Sequence, residues 1–342
     1  MDLRQLGWNE SFQKAFNELK DDTLLPARVT LEHKESYRIH TGSEEFSAVI
    51  TGNMRFRAEG REDFPAVGDW VAAQPLPGER KALIRAVLPR KSKFSRQAAG
   101  NETVEQIIAA NIDTVFLVNA LNSDFNARRI ERYLTIAWES GANPVIVLSK
   151  SDLCSDVEDK LAEVESIAFG VPIHVVSAEQ QLGLEALQMY FKNHETAALL
   201  GSSGVGKSTL VNELYGMQVQ QVKETRAGDD RGRHTTTHRE LIVMPAGGMI
   251  IDTPGMRELQ LWETEDSLSH SFHDIEALAE QCKFRDCRHQ SEPGCAVKQA
   301  IEQGEMQQSR FDNYVKLQRE LAYLERKNNK RAQSLFKQKL KK

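Results

Sequence analysis

The stretch GSSGVGKSTL, residues 201–210, decides how this chain is read. Gly201, Gly206, Lys207 and Ser208 satisfy the pattern G-x-x-x-x-G-K-S/T, in which glycines let backbone N–H groups wrap phosphates while the lysine reaches the outer ones. Ser202, Ser203, Gly204 and Val205 supply the wrapping backbone, Ser208 is the expected Mg2+ ligand, and Thr209 completes the cradle. AALL (197–200) before the loop and TLVNELY (209–215) after it give the strand and helix that the motif requires. The alternative is a plain glycine-rich turn. Such a loop normally opens its domain, yet here it lies well past the middle of 342 residues. What usually follows it is therefore sought in front of it.

Downstream, MIIDTPG (249–255) is an apolar strand ending in Asp252, a carboxylate placed to hold the magnesium shell. Gly255 can turn its N–H toward a terminal phosphate. Between these strings lies RGRHTTTH (231–238), where a threonine can close over Mg2+ when a third phosphate is present. Thr236 is favoured, with Thr235 and Thr237 as alternatives. Upstream, SKSD (149–152) follows the strand PVIVL. Asp152 would accept from the ring N–H and exocyclic amine of guanine, a pair that adenine does not offer, with the stem of Lys150 along the base and Ser151 between them. Ser149 stands where asparagine is usual, and its shorter side chain predicts a weaker tie to the phosphate loop. In VSA (176–178), Ser177 and Ala178 end the next strand, and the Ala178 N–H can meet the guanine carbonyl. The base-recognition strings come first and the phosphate strings second, the order G4-G5-G1-G2-G3, which defines a circularly permuted GTPase. Joined old termini and a new surface opening permit such an order.

The rest of the chain sets this unit in context. Its length suggests two or three compact units. With 40% hydrophobic and 27% charged residues and no apolar run near the roughly 20 residues that span a bilayer, a soluble protein without membrane contact is expected. The start MDLRQLGWNESF has no secretory pattern, so the expected location is cytoplasmic. A net charge of −5 gives no overall argument for nucleic acid, but basic patches stand at 91–96 and from 326 onward.

Residues 26–88 give short runs, ARVTL, SYRIH, FSAVI, MRFRA and GDWVAA, split by turn residues, which predicts about five strands of a small β-barrel. PRKSKFSRQAAGNE (89–102) is expected to be a linker. From 104 to about 261, NIDTVFLVNAL, NPVIVLSK and VPIHVVSA alternate with helical stretches such as ARRIERYLTIAWES, the signature of a parallel sheet under helices. Beyond 264 the pattern is helical, with a long charged helix from about Ser309. The expected units are 1–95, 100–261 and 262–342.

Four cysteines are too few for a disulfide framework, and three crowd into QCKFRDCRHQSEPGC (281–295). Cys282, Cys287, His289 and Cys295 offer three thiolates and an imidazole, a set that suits tetrahedral structural Zn2+ with no open position. The segment is too polar for buried free thiols. Cys154 is expected to be a small packing residue. Arg55, Phe56, Arg57 and Arg61 in the barrel, and the acid-free tail RKNNKRAQSLFKQKLKK, suit RNA phosphates and stacked bases, although charge runs are also ordinary solvated faces.

FPAVGDWV (64–71), GSSGVGKSTL, GRHTTTHREL (232–241), IDTPGMREL (251–259) and C-x4-C-x-H-x5-C together resemble the ribosome small-subunit-dependent GTPase family known as RsgA or YjeQ, over nearly the whole chain. The resemblance implies an N-terminal OB-fold, a central α/β permuted P-loop GTPase domain and a C-terminal helical zinc domain. It implies GTP hydrolysis to GDP stimulated by the small ribosomal subunit, late in that subunit's maturation, with rRNA as partner; a monomer is expected. Met256 stands where many GTPases carry a water-orienting glutamine, and a thioether cannot position water. His234 is the candidate for that role beside Lys207 and Thr236; the alternative is a surface histidine without one. The competing readings are a P-loop ATPase or kinase, which Asp152 disfavours, and an RNA-binding module that holds nucleotide without turnover.

Overall fold

Strand β8 (Thr114–Ala120) shows how the centre of the molecule is built. Every one of its residues is buried, as in a parallel strand covered on both faces. Val115 and Leu117 pack on one side of the sheet and Phe116 and Val118 on the other, the two-residue period dividing them between separate cores. The computed structural model describes residues 2–33, 36–97, 105–216, 239–252, 271–290 and 292–339.

Residues 25–87 form the barrel. Strands β1 (Leu25–Glu32), β2 (Tyr37–His40), β3 (Glu45–Ile50), β4 (Trp70–Pro75) and β5 (Lys81–Val87) pair in the ring β1-β2-β3-β5-β4 and back to β1, with β3 and β5 parallel and the other pairs antiparallel. Ala27, Val29, Ile39, Phe46, Val71 and Ile84 fill its interior. MRFRA, expected as a strand, is instead helix α2 (Gly52–Arg57), because the Thr51 hydroxyl accepts from Met54 N at 3.2 Å and caps it. The fifth strand is KALIRAV. A short helix, α1 (Glu10–Asn17), capped by Asn9, lays Phe12 against Trp70 on the outside of the ring. The segment expected as a linker contains strand β6 (Lys93–Gln97), paired with β7 (Glu105–Ala110).

The second sheet runs β10 (Ile173–Val175), β9 (Asn143–Ser149), β8, β11 (Thr196–Leu200), β13 (Met249–Asp252), β12 (Arg239–Val243); all neighbours are parallel except β12 against β13. Helices α3 (Ala127–Ser140) and α4 (Val157–Glu165) cover one face, and α5 (Leu184–Gln188) and α6 (Lys207–Tyr215) the other. The two sheets are continuous, since β12 pairs with β1 through Leu31 opposite Glu240 and Glu32 opposite Arg239. Across the same boundary Arg28, 1% exposed, donates to the carbonyls of Leu6, Gly68 and Asn111 and to Thr196 Oγ1, and lies 5.6 Å from the Trp70 ring centre.

Beyond the sheet come α7 (His273–Ala279), α8 (Ala296–Glu302) and the long α9 (Gln308–Lys339). Phe311, Tyr314, Leu317 and Leu321 recur every three or four residues on α9 and are buried in the same core as Ile130 and Leu134 of α3. Among the described residues no helix is long and apolar enough to cross a membrane.

Candidate functional site

The carboxyl ends of β8, β9, β10, β11 and β13 lie at one edge of the sheet, the crevice where open α/β folds bind ligands. The phosphate loop leaves β11 there. Gly201 must be glycine, because a Cβ would sit 2.4 Å from the Val118 carbonyl oxygen of the neighbouring strand. Gly206 turns with φ +94° and starts α6, whose first residues are Lys207 and Ser208. The ammonium of Lys207 donates to the carbonyls of Gly201 and Ser202, each at 2.7 Å, and is held over its own loop. By register Ile251 faces Ala198, so Asp252 ends β13 level with Leu199, two residues before the loop.

SKSD enters from β9. Lys150 reverses the chain in the left-handed region, φ 58°, which carries 151–153 back as a turn against β10, with Ser151 N donating to Val176 O at 3.2 Å. Its Cε lies 3.9 Å from where a Gly206 Cβ would be, so its stem borders the phosphate loop. Ser149, buried, donates its hydroxyl to Val205 O at 2.7 Å. The serine expected to weaken the tie between the base string and the loop therefore makes that tie through one hydrogen bond. From the end of β10, the fully buried Ser177 donates to Asp152 Oδ1 at 2.5 Å and accepts from Gln180 N, which fixes one oxygen of the half-buried carboxylate. Ala178 follows in the same turn. SKSD, SA and GSSGVGKST thus meet although 52 residues separate Ser149 from Gly201.

Three further groups surround the loop that no motif marked. Asp124 and Arg129, from the connection between β8 and α3 and the first turn of α3, both bond the Ser202 hydroxyl. Asn119 on β8 donates to Asn126 O, the N-cap of α3. The hydrogen bonds from Arg129 hold the Asp124 carboxyl below the usual carboxylate range. Thr235, His234, Thr236, Thr237, Gly255 and Met256 lie outside the described residues.

The metal-ligand cluster is assembled by α7, the turn after it and the start of α8. Ligand atoms of Cys282, Cys287, His289 and Cys295 all lie within 4.8 Å of one another. Cys282 Sγ is 3.5 Å from His289 Nδ1 and 3.9 Å from Cys295 Sγ, and His289 Nδ1 is 3.3 Å from Cys295 Sγ. Bonds of about 2.1–2.3 Å to a tetrahedral ion put ligand atoms roughly 3.4–3.8 Å apart, so the cluster fits one. Burial holds the His289 imidazole below its usual value and hence neutral, the form that binds a metal. Cys295 caps α8, accepting from Lys298 N.

A phosphate loop and a base-binding string that meet on one parallel sheet, with the string earlier in the chain, define a circularly permuted P-loop GTPase fold, here between a small barrel and helices that carry a metal-ligand cluster. The RsgA GTPase family model matches residues 87–262. The chain is 48% identical to the "Small ribosomal subunit biogenesis GTPase RsgA 1" of Oceanobacillus iheyensis, over 96% of this chain and 94% of the relative. It is 47% identical to the protein of that function in Opitutus terrae, over 96% and 92%. Among solved structures, YjeQ from Thermotoga maritima aligns with TM-score 0.63 and 30% identity over 87% of this chain and 99% of that one. YloQ, described as a circularly permuted GTPase, gives 0.61 and 26% over 88% and 96%. This chain belongs to the RsgA GTPase family.

Proposed function

We propose that the protein is a GTPase of small ribosomal subunit biogenesis, which hydrolyses GTP to GDP and phosphate when the small subunit stimulates it late in that subunit's maturation. The observation that supports the reading is the bond from Ser149 to Val205 O at 2.7 Å, which ties the string that carries Asp152 to the loop that carries Lys207. The relatives' names support the biological setting.

In this reading Asp152, oriented by Ser177, accepts from the guanine edge, Lys150 lines the base, Ser151 and Ala178 add backbone contacts, and the backbone of 201–206 with Ser208 and Thr209 wraps the phosphates. Lys207 moves from its carbonyl partners to the β- and γ-phosphate oxygens. Ser208, Asp252 and Thr236 would hold Mg2+, which when bound would neutralise the charge that develops on the leaving diphosphate. Water attacks the γ-phosphorus in line, the bond to the β–γ bridging oxygen breaks, and GDP leaves with that electron pair. Met256 cannot orient the water, so His234 does so when the subunit is bound, while the Gly255 N–H meets the γ-phosphate. Cys282, Cys287, His289 and Cys295 would hold one structural Zn2+. The working units are 1–95, 100–261 and 262–342; the chain acts as a cytoplasmic monomer, and rRNA is the expected contact of Arg55, Phe56, Arg57, Arg61 and the basic tail. Phe56 is 89% exposed, as a stacking side chain must be.

The test is turnover of GTP and ATP by the full chain with and without purified small subunits. GTP-selective hydrolysis that rises with subunits, is lost in Lys207→Ala, and loses its stimulated part in His234→Ala is expected. Equal use of ATP, or indifference to subunits, refutes the proposal.

A further inference from the structure

Ser202 is the junction of the phosphate loop. Its carbonyl accepts from Lys207 Nζ at 2.7 Å, and its hydroxyl closes a triangle with two residues of another element. The hydroxyl donates to Asp124 Oδ2 at 2.7 Å and accepts from Arg129 Nη1 at 2.7 Å, while Arg129 Nη1 and Nη2 grip Asp124 Oδ2 and Oδ1 at 2.7 and 3.1 Å. The triangle is anchored at its base. Asn126 caps α3 by accepting from Arg129 N at 3.0 Å, and Asn119 of the central strand donates to Asn126 O at 3.1 Å. The phosphate-binding pattern leaves position 202 open, so nucleotide chemistry does not dictate a hydroxyl there.

We propose that Arg129, braced by Asp124, is a positioning residue for nucleotide binding: it holds Ser202 from outside the loop so that the loop N–H groups and Lys207 converge on the phosphates. The inference rests on the reading of 201–208 as the phosphate site. It concerns the diphosphate part common to GTP and GDP, because among the described residues the Arg129 guanidinium hydrogen-bonds Asp124 and, on the phosphate loop, Ser202. Losing the fork frees Ser202, and the backbone N–H groups of the loop that starts there lose their fixed geometry. A loop that must be ordered by its ligand binds more weakly and, once filled, reacts as before.

The experiment measures GDP and GTP dissociation constants and saturated, subunit-stimulated turnover for wild type, Arg129→Ala, Arg129→Lys, Ser202→Ala and the double variant Arg129→Ala/Ser202→Ala, with thermal unfolding as a check on folding. For a charge-assisted hydrogen bond, Arg129→Ala is expected to weaken GDP and GTP equally, by about tenfold, with saturated turnover within about twofold of wild type. Ser202→Ala should weaken GDP and GTP to the same degree, the double variant should bind no worse than either single variant, and Arg129→Lys should recover part of the lost affinity. Unchanged affinity in Arg129→Ala, a fall in saturated turnover instead, or additive losses in the double variant overturn the proposal. Wild-type protein that binds neither nucleotide would sink the underlying site reading, a different result from any of these.

Discussion

At the scale of single residues, the proposed base pocket rests on one carboxylate and the hydroxyl that orients it. Ser177 occupies one oxygen of Asp152, so the group meets its ligand in a fixed plane. Asp152→Asn places an amide where the guanine amine and ring N–H require an acceptor, and two charge-assisted bonds are lost or reversed. GTP affinity is expected to fall about 100-fold while that for xanthosine triphosphate, which offers a carbonyl at that position, rises; competition binding of the two nucleotides measures the switch. The residues to which this chemistry is assigned were legible because a bound nucleotide would impose their spacing. Arg129 was not, since it sits in an amphipathic helical run as one more basic side chain and its partner Ser202 lies 73 residues on. Ser149 was half legible: its place was plain, but that a serine reaches the Val205 carbonyl depends on how closely β9 approaches the loop.

At the scale of elements, the cysteine cluster organises α7, α8 and the turn between them around a single point. Few apolar residues hold this segment, with Phe272, Ile275 and Val297 fully buried and the intervening turn mostly exposed. A bound metal would supply what a core does not. One zinc per chain is expected by metal analysis, chelation should melt this segment in the full chain, and Cys287→Ser should weaken zinc affinity by about 100-fold or more. In the barrel, alternation identified four of the five strands. The fourth run, MRFRA, carries the same apolar and basic alternation but follows Thr51 and Gly52, and a capped turn wins over a strand there. KALIRAV was missed because apolar Leu83 stands between Lys81 and Arg85 on the outward face and hides the alternation by which Ala82 and Ile84 fill the interior. The strand at 93–97 carries one apolar residue, the buried Phe94, among four polar ones, and becomes a strand by pairing with β7, a long-range event that leaves no local period.

At the scale of the whole molecule, α3 belongs to two neighbours. Arg129 on its first turn reaches the phosphate loop, while Arg128 bonds Gln307 and Ser309, the buried Glu131 takes Arg310 and Asn313, and Arg132 grips Glu320 of α9 through two bonds of 2.6 and 2.8 Å. The hydrogen bond from Arg132 holds Glu320 below its usual value. For a lowered carboxylate the stabilisation is full above the ordinary glutamate value of about 4.3 and disappears as pH falls through the lowered one. Glu320→Gln is thus expected to cost about 1 kcal/mol at pH 7 and progressively less below about pH 4, read from thermal unfolding of both proteins across that range. The joint between β1 and β12 has a different consequence. Rungs at 31–240 and 32–239, the Arg239–Glu32 ion pair and the sequestered guanidinium of Arg28 weld ring and sheet into one plank. Whatever lands on the ring meets a surface whose angle to the nucleotide crevice is already set, so docking partner and crevice are aligned before contact instead of by a swinging hinge.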